Sequence, residues 1–468
     1  MRICFSIIVL LDLFNQFKYI KPFYTDQGIM PRAYALSNMN TNAFSAHVMG
    51  GSWGFEAFLF LITAVFATGL MVGYRTRLCT FMTWLLLCSM HNRNLFLLNA
   101  GDRFFALCLF WCLFLPLGAC YSVDSRQKSR LLPHPQVSSM GTFGYLMQII
   151  FFYSFAGFLK TDPVWTTNGT GIYYALNVEQ FGTPLAHTLL QFPALTHFLT
   201  FATLWVERFG PLLILSPFWT IQARLAALMA LGLFHICLLF VMSLQFFHWI
   251  CLASLIALIP SALLDKILGP FPPEQFNQKK EYMPLVLSLL GAFFIVYIFF
   301  WNMDGLENSK YKMPKQMIWV GYLFNINQHW GMYAPKPMTD DGWYVFPGKL
   351  RNGNIVDANT EKPVAWRQPA SLVDYGEDHR WILFHLYIWD QSNALFRVPY
   401  ARYLCREWNT HHPLNQELLG LDMTYMEKDT QPNYQKPLIH PVVILSYDCV
   451  KQRQTRSPFL NKKEIPSP

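Results

Sequence analysis

Between Ile3 and Trp301 the chain returns nine times to a run of apolar residues close to the length that crosses a bilayer. A helix rises 1.5 Å per residue, so about 20 such residues span the hydrocarbon core. The runs are Ile3–Ile20, Trp53–Gly73, Leu78–Leu98, Phe104–Tyr121, Phe143–Leu159, Thr196–Pro217, Ala223–Met242, Leu244–Leu264 and Pro284–Trp301. The third is the least regular, because His91-Asn92-Arg93-Asn94 interrupts it. Only 14% of the residues are charged, against about 25% in a soluble domain, and the third of the chain beyond Asn302 is the polar part. The expected architecture is an α-helical polytopic membrane domain of about nine spans over residues 1–301. A small β-rich extracytoplasmic domain follows over 302–450, and a basic disordered tail over 451–468.

The loops carry an orientation. Arg2, Arg75 and Arg77, then Arg126, Lys128 and Arg130, then Arg224, then Lys266, Lys279 and Lys280 fall on alternate sides of the runs. By the positive-inside rule that side is cytoplasmic. The N-terminus is then cytoplasmic and the C-terminal domain extracytoplasmic, across the inner membrane if the source is bacterial. Lys18 and Lys21 break the pattern at the outer end of the first run. That run lacks a small-residue cleavage site and contains Asp12, Asn15 and Gln16, so it reads as an uncleaved span rather than a signal peptide. A net charge of +8 distributed between spans does not make a nucleic-acid surface. No pair of interrupted helices in corresponding halves suggests a transporter.

Beyond Asn302, Trp343–Pro347, Arg380–Trp389 and Pro441–Tyr447 read as strands, with turns at Asp340-Asp341-Gly342 and Arg351-Asn352-Gly353-Asn354. A sandwich is the expected arrangement. Eight of the ten cysteines lie in or beside apolar runs and read as packing residues. Cys405 and Cys449 are the exceptions, and could pair in an oxidising compartment. The connection Lys160–Leu195 has apolar stretches at Ile172–Leu176 and Leu185–Leu190, which suit a short amphipathic helix at the membrane surface.

Ionisable residues within spans are costly and are functional candidates by default. Glu56, His91, Arg93, Asp102, Arg103, Lys160, His235 and His248 all fall in the outer half of the membrane, where a shared polar cavity would accommodate them. Each has a structural alternative. Lys160 could snorkel to the interface, His235 could be a buried interhelical hydrogen-bond partner, and Asp102 and Arg103 could be loop charges. Asp12 could satisfy one of the arginines. Glu207 and Arg208 point about 100° apart on a helix, so each needs its own partner. Gly69 and Gly73 form a GxxxG suited to helix packing. Gly50-Gly51-Ser52-Trp53-Gly54 matches GxSxG without the strand-turn-helix context of a nucleophile. His411-His412 lacks a third ligand at helical spacing, there is no HExxH or P-loop, and no metal site is expected.

Several segments together resemble the HTTM (horizontally transferred transmembrane) superfamily, which includes the vitamin K-dependent gamma-carboxylases. They are Phe23–Arg32, Gly73-Tyr74-Arg75, Gly101-Asp102-Arg103, Tyr121-Ser122-Val123-Asp124, Ala156–Asp162 with Trp165 and Gly169, and finally His235. The resemblance covers about Arg2 to Pro260. Trp330–Pro335 and Asp341–Tyr344 look like the tail of bacterial members. It implies a quinone-dependent carboxylase or epoxidase with an extracytoplasmic-facing site, using reduced vitamin K or another quinol and acting on a secreted peptide or protein. Lys160 would be the base, with His235 and His91 as catalytic partners. Arg93, Asp102, Arg103 and Trp165 would bind the cofactor. A lysine base must be neutral, which an apolar site favours. One family histidine, before the Tyr-Trp-Ser-Val-Asp stretch, is Ala119 here. The alternative reading is a non-enzymatic membrane protein that binds a quinone or lipid, or helps mature a secreted peptide.

Overall fold

The computed structural model describes residues 1–127, 139–269, 283–369 and 378–455. Lys128, Arg130, Lys279 and Lys280 of the orientation pattern, and the tail beyond Thr455, lie outside the described residues. The longer helices are α1 (Arg2–Phe17), α2 (Trp53–Val72), α3 (Thr76–Arg93), α4 (Ala100–Cys112), α5 (Met140–Leu159), α6 (Pro193–Phe209), α7 (Thr220–Val241), α8 (Phe247–Leu255), α9 (Leu285–Asp304), α10 (His379–Trp389) and α11 (Arg397–His411).

Each apolar run contains a helix, but the helices are unequal. Five among the described residues are long and apolar enough to cross a membrane: α2, α5, α6 with its 3₁₀ continuation to Leu215, α7 and α9. The others are shorter or more polar. α1 carries Asp12, α3 ends in the buried His91-Asn92-Arg93, α4 has 13 residues and α8 has nine. α4 and α5 are buried along most of their length and form the centre. α7 instead turns Ile221, Met229, Leu233, Ile236 and Phe240 outward. An unpartnered apolar face of that extent is compatible with contact to lipid.

Local chemistry fixes the ends of α2. The Ser52 hydroxyl accepts from the Phe55 N–H and caps its start, which gives the serine of the GxSxG match a structural role. Gly73 ends the helix in the left-handed region at φ 74°. The Arg2 guanidinium fills the space beside it, donating to the Leu70 and Met71 carbonyls at 2.7 and 2.8 Å. Gly73 therefore belongs to a helix stop closed by a cation, while Gly69 lies against α3, where a Cβ would meet Cys79 Sγ at 2.7 Å, the close helix packing expected of a GxxxG.

Among the described residues the C-terminal part contains one antiparallel sheet, not the expected sandwich. Its strands are β1 (Asp340–Val345), β2 (Pro347–Leu350), β3 (Ile355–Asp357), β4 (Leu418–Asp429), β5 (Leu438–Asp448) and β6 (Arg453–Thr455). The order is β3-β2-β4-β5-β6, with β1 also paired to β4. Pro441–Tyr447 lies in β5 as expected, whereas Trp343–Pro347 is divided between β1 and β2 at Phe346, and Asp340-Asp341-Gly342, expected as a turn, opens β1. Arg380–Trp389 is not a strand: it lies in α10, started by the Asp378 carboxylate, which accepts from the Arg380 N–H. This helix buries Ile382, Leu383, Phe384 and His385 in succession. All-round burial erases the helical period that would have separated it from a strand. Arg453–Thr455, expected to be disordered, pairs with β5.

Cys405 on α11 and Cys449 after β5 form a disulfide, with their Cα atoms 5.6 Å apart. Closing a loop of this size stabilises a domain by roughly 2–4 kcal/mol. Cys405→Ala should lower the thermal midpoint of the purified protein accordingly, and dithiothreitol should do the same to wild type. If the domain faces an oxidising compartment, non-reducing mass spectrometry of fresh membranes will find the linked peptides. Two free thiols there would contradict both the bond and that compartment.

The C-terminal part is packed into the helices. Phe23 packs on Trp381 with ring centroids 4.6 Å apart, and Phe96 meets Phe396 edge to face at 4.4 Å. Lys18 and Lys21 pair with Asp378 and Glu407 at 3.0 and 2.6 Å. These carboxylates supply a local reason for two lysines at the position that broke the charge pattern. The connection after α5 forms three short helices, Pro163–Thr166, Gly171–Leu176 and Pro184–Leu189, and the Tyr173 hydroxyl donates to the Gln431 carbonyl at 2.6 Å.

Candidate functional site

Lys160 follows the last residue of α5 and turns back into the protein. Its Nζ donates to Glu207 Oε2 on α6 at 2.7 Å and to the Ala156 carbonyl at 3.3 Å. The Trp165 ring lies 5.3 Å from it, and the residue is 2% exposed. A snorkelling lysine would put its ammonium in water; this one is enclosed. Arg208 does separate work, donating from Nε and Nη2 to the Gly157 and Lys160 carbonyls at 2.8 and 2.9 Å. The adjacent pair thus divides, Glu207 to the lysine and Arg208 to the free carbonyls at the helix end. Gly157 permits this approach, since a Cβ there would meet Arg208 at 2.7 Å. Trp165 is buried and donates its indole N–H to the Tyr333 carbonyl at 2.9 Å.

His235, on α7, is completely buried. Its Nε2 is 2.7 Å from the Tyr153 hydroxyl. Tyr153 lies on α5 seven residues before Lys160, about 10 Å of helical rise away. His235 packs on Phe247 and Phe234, and its ring centroid is 6.3 Å from that of His248. His248 hydrogen-bonds with the Met242 carbonyl through Nε2 at 3.1 Å. Both Nδ1 atoms are buried without a protein partner.

The remaining candidates sit in other groups. Asp102 closes a capping box with Asn99 at the start of α4 and meets Arg380 from α10 at 2.7 Å. The same guanidinium reaches Asp12 on α1 at 2.8 Å. Asp12 thus does satisfy an arginine, one contributed by the C-terminal part. Arg103 donates to Asn325 at 2.6 Å. His91 is buried within the field of Asp102, with Nδ1 unpartnered. Arg93 donates from Nη2 to the Tyr24 and Met30 carbonyls, both at 2.8 Å, while its Nε and Nη1 have no partner. No described contact joins His91 or Arg93 to Lys160 or His235. No described contact gathers the four into one cavity: the end of α3 sends Arg93 to the Tyr24 and Met30 carbonyls, between α1 and α2, and His91 towards Asp102 at the start of α4.

Glu56 pairs with His47 Nδ1 at 2.6 Å, both fully buried. Nothing in the sequence pointed to His47, which lies in a single 3₁₀ turn, Ala46–Val48, outside every apolar run. Arg380 was likewise hidden within an expected strand.

Outside the helices, Asp341 on β1 is buried, accepting from the Glu179 N–H at 2.6 Å while its Oδ1 has no partner. Burial pushes its carboxyl up to about 7. The folded value lies above the unfolded one, so the proton stabilises the fold. That stabilisation is full below about pH 4 and is lost as pH rises towards 7. Asp341→Asn, which keeps an acceptor but no charge, should raise stability at pH 8 by roughly 1–3 kcal/mol and change little at pH 4. Parallel melting curves across that range would refute this if the variant gained nothing at pH 8.

No family model, curated protein or solved structure matches this chain.

Proposed function

We propose that the chain is an integral membrane enzyme of the HTTM type that uses a quinol in a carboxylase- or epoxidase-class reaction. In this reading it has nine crossings, a cytoplasmic N-terminus and an extracytoplasmic C-terminal domain, and acts on a secreted peptide or protein. The observation that carries the reading is the buried Lys160–Glu207 pair at 2.7 Å. An ion pair at an apolar helix end costs desolvation energy that hydrophobic residues would not, and such residues within membranes mark proton pathways and ligand sites. Glu207 Oε2 is placed to take a proton from Nζ, leaving an amine that can act as a base. Tyr153 on α5 and His235 on α7 offer a second exchangeable proton, seven residues before Lys160 in the chain.

The residues present fit a quinol. The orphaned Nδ1 atoms of His235 and His248 are buried among Phe234, Phe247 and Tyr153. A flat ring with polar oxygens needs such a combination of aromatic walls and few polar atoms. His235 and His248 would hold its oxygens. When bound, the quinol would supply the reducing equivalents for reaction with oxygen. Lys160 would accept a proton at Nζ, Glu207 would orient that amine, and the apolar surroundings would exclude water.

A second reading, a non-enzymatic quinone- or lipid-binding protein, is favoured by how fully Lys160 is occupied, with Glu207, the Ala156 carbonyl and the Trp165 ring around one nitrogen. Turnover of a reduced quinone under oxygen by wild type and by Lys160→Arg separates the two. An inactive wild type that still copurifies with an isoprenoid quinone would favour the second.

A further inference from the structure

The sheet carries another cluster of ionisable groups, remote from α5. Glu427 and Asp429 stand two residues apart on β4 and so share one face. His440 on β5 is directly opposite Glu427, and Asp340 on β1 is directly opposite Asp429. His440 Nε2 lies 3.0 Å from Glu427 Oε2. One ligating atom from each of Glu427, Asp429 and His440 falls within 4.8 Å of the other two. All three residues are half-buried.

This arrangement is electrostatically unbalanced. Like charges directly across an antiparallel pair are destabilising, and Asp340 faces Asp429 in that way. Asp340 is held by the Trp389 indole N–H at 3.0 Å. Among the described residues, the only ion pair made by these three carboxylates is that of Glu427 with the His440 imidazole. Lys428 lies between the two β4 carboxylates in sequence but points to the opposite face, where it pairs with Glu179.

We propose that Glu427, Asp429 and His440 bind one divalent first-row transition-metal ion, with zinc the best match to the donors. An imidazole nitrogen with two carboxylates suits a borderline ion, whereas calcium and magnesium prefer all-oxygen sets. Ligands about 2.0–2.2 Å from zinc are roughly 3.3–3.5 Å apart in a tetrahedron, so small rotations of these side chains close the site. The fourth position is left to water or an external ligand. The ion joins β4 to β5 just before the turn that docks on the helices, where the Gln431 carbonyl accepts from Tyr173 and the Tyr434 hydroxyl meets Thr196 at 2.6 Å. Metal uptake therefore stiffens that docking turn.

The test uses the full-length protein in detergent, stripped with EDTA and dialysed against zinc, with calcium as the oxygen-preferring comparison. Wild type should hold one zinc per chain more than the Asp429→Asn/His440→Ala double variant. Each single variant should bind at least about tenfold more weakly, and the His411→Ala/His412→Ala variant should bind as wild type. Amide exchange over Thr430–Tyr434 should slow on adding zinc to wild type and not to the double variant. Equal zinc content in wild type and double variant, or displacement of zinc by an equal concentration of calcium, would overturn the assignment.

Discussion

Arg380→Met should be the most destabilising single change in the molecule, costing roughly 3–5 kcal/mol. Its guanidinium is the cation shared by Asp12 on α1 and Asp102 on α4, at 2.8 and 2.7 Å, and all three side chains are buried. Removing it leaves two carboxylates in a low-dielectric interior with only neutral partners, Gln16 for Asp12 and the Asn99 N–H for Asp102. It also removes a buried charged tie between the C-terminal part and the helices, leaving the more exposed Lys18–Asp378 and Lys21–Glu407 pairs. The expected result is little folded protein after detergent extraction, or a thermal midpoint far below wild type. The cost arises from the uncompensated charges, so neutralising all three should recover much of it. The variant Asp12→Asn/Asp102→Asn/Arg380→Met should therefore fold better than Arg380→Met alone. A single variant as stable as wild type would show that the bridge contributes nothing.

This bridge also marks the limit of what the sequence displays. Asp12 announces itself as a carboxylate in an apolar run, and its need for a cation follows at once. The identity of that cation does not, because Arg380 is 368 residues away and sits in a segment rich in aromatic and β-branched residues. The helices were legible where apolar length alone decides, as in α2, α5, α7 and α9. Their lengths were less so around α4, where Leu113 to Tyr121 stays apolar after the helix has ended at Cys112. Lys18 and Lys21 looked like violations of a charge rule because Asp378 and Glu407 arrive only through tertiary packing. His47 left no trace, since a histidine in a single 3₁₀ turn has no period to betray its burial. The metal-ligating cluster is similar: Glu427 and His440 are 13 positions apart in no recognisable motif, and only the β4–β5 register sets them face to face. Cys405 and Cys449 were the opposite case, singled out because every other cysteine lay in or beside an apolar run.

The decisive expectation concerns Lys160 and Glu207. If Lys160 is a base, Lys160→Arg should lower quinol turnover by roughly 10²–10⁴-fold while leaving the protein folded. Arginine can keep an ion pair to Glu207, but it cannot give up its proton. Glu207→Gln should have a similar effect on turnover, because glutamine accepts the hydrogen bond from Nζ but cannot take its proton. Lys160→Ala tests something else: it strands the buried Glu207 carboxylate and should cost stability as well as activity. The pair can be removed without that penalty by Lys160→Met with Glu207→Leu, since exchanging a buried ion pair for apolar residues of similar volume is often neutral. A double variant as stable as wild type but inactive would assign the pair to chemistry rather than to holding α5 against α6. If the pair is only a tie, Lys160→Arg should turn over quinol as wild type does, and the loss should follow stability across the series. Undiminished turnover in Lys160→Arg would end the case for a lysine base, because no protonation state of arginine within the working pH range could replace it.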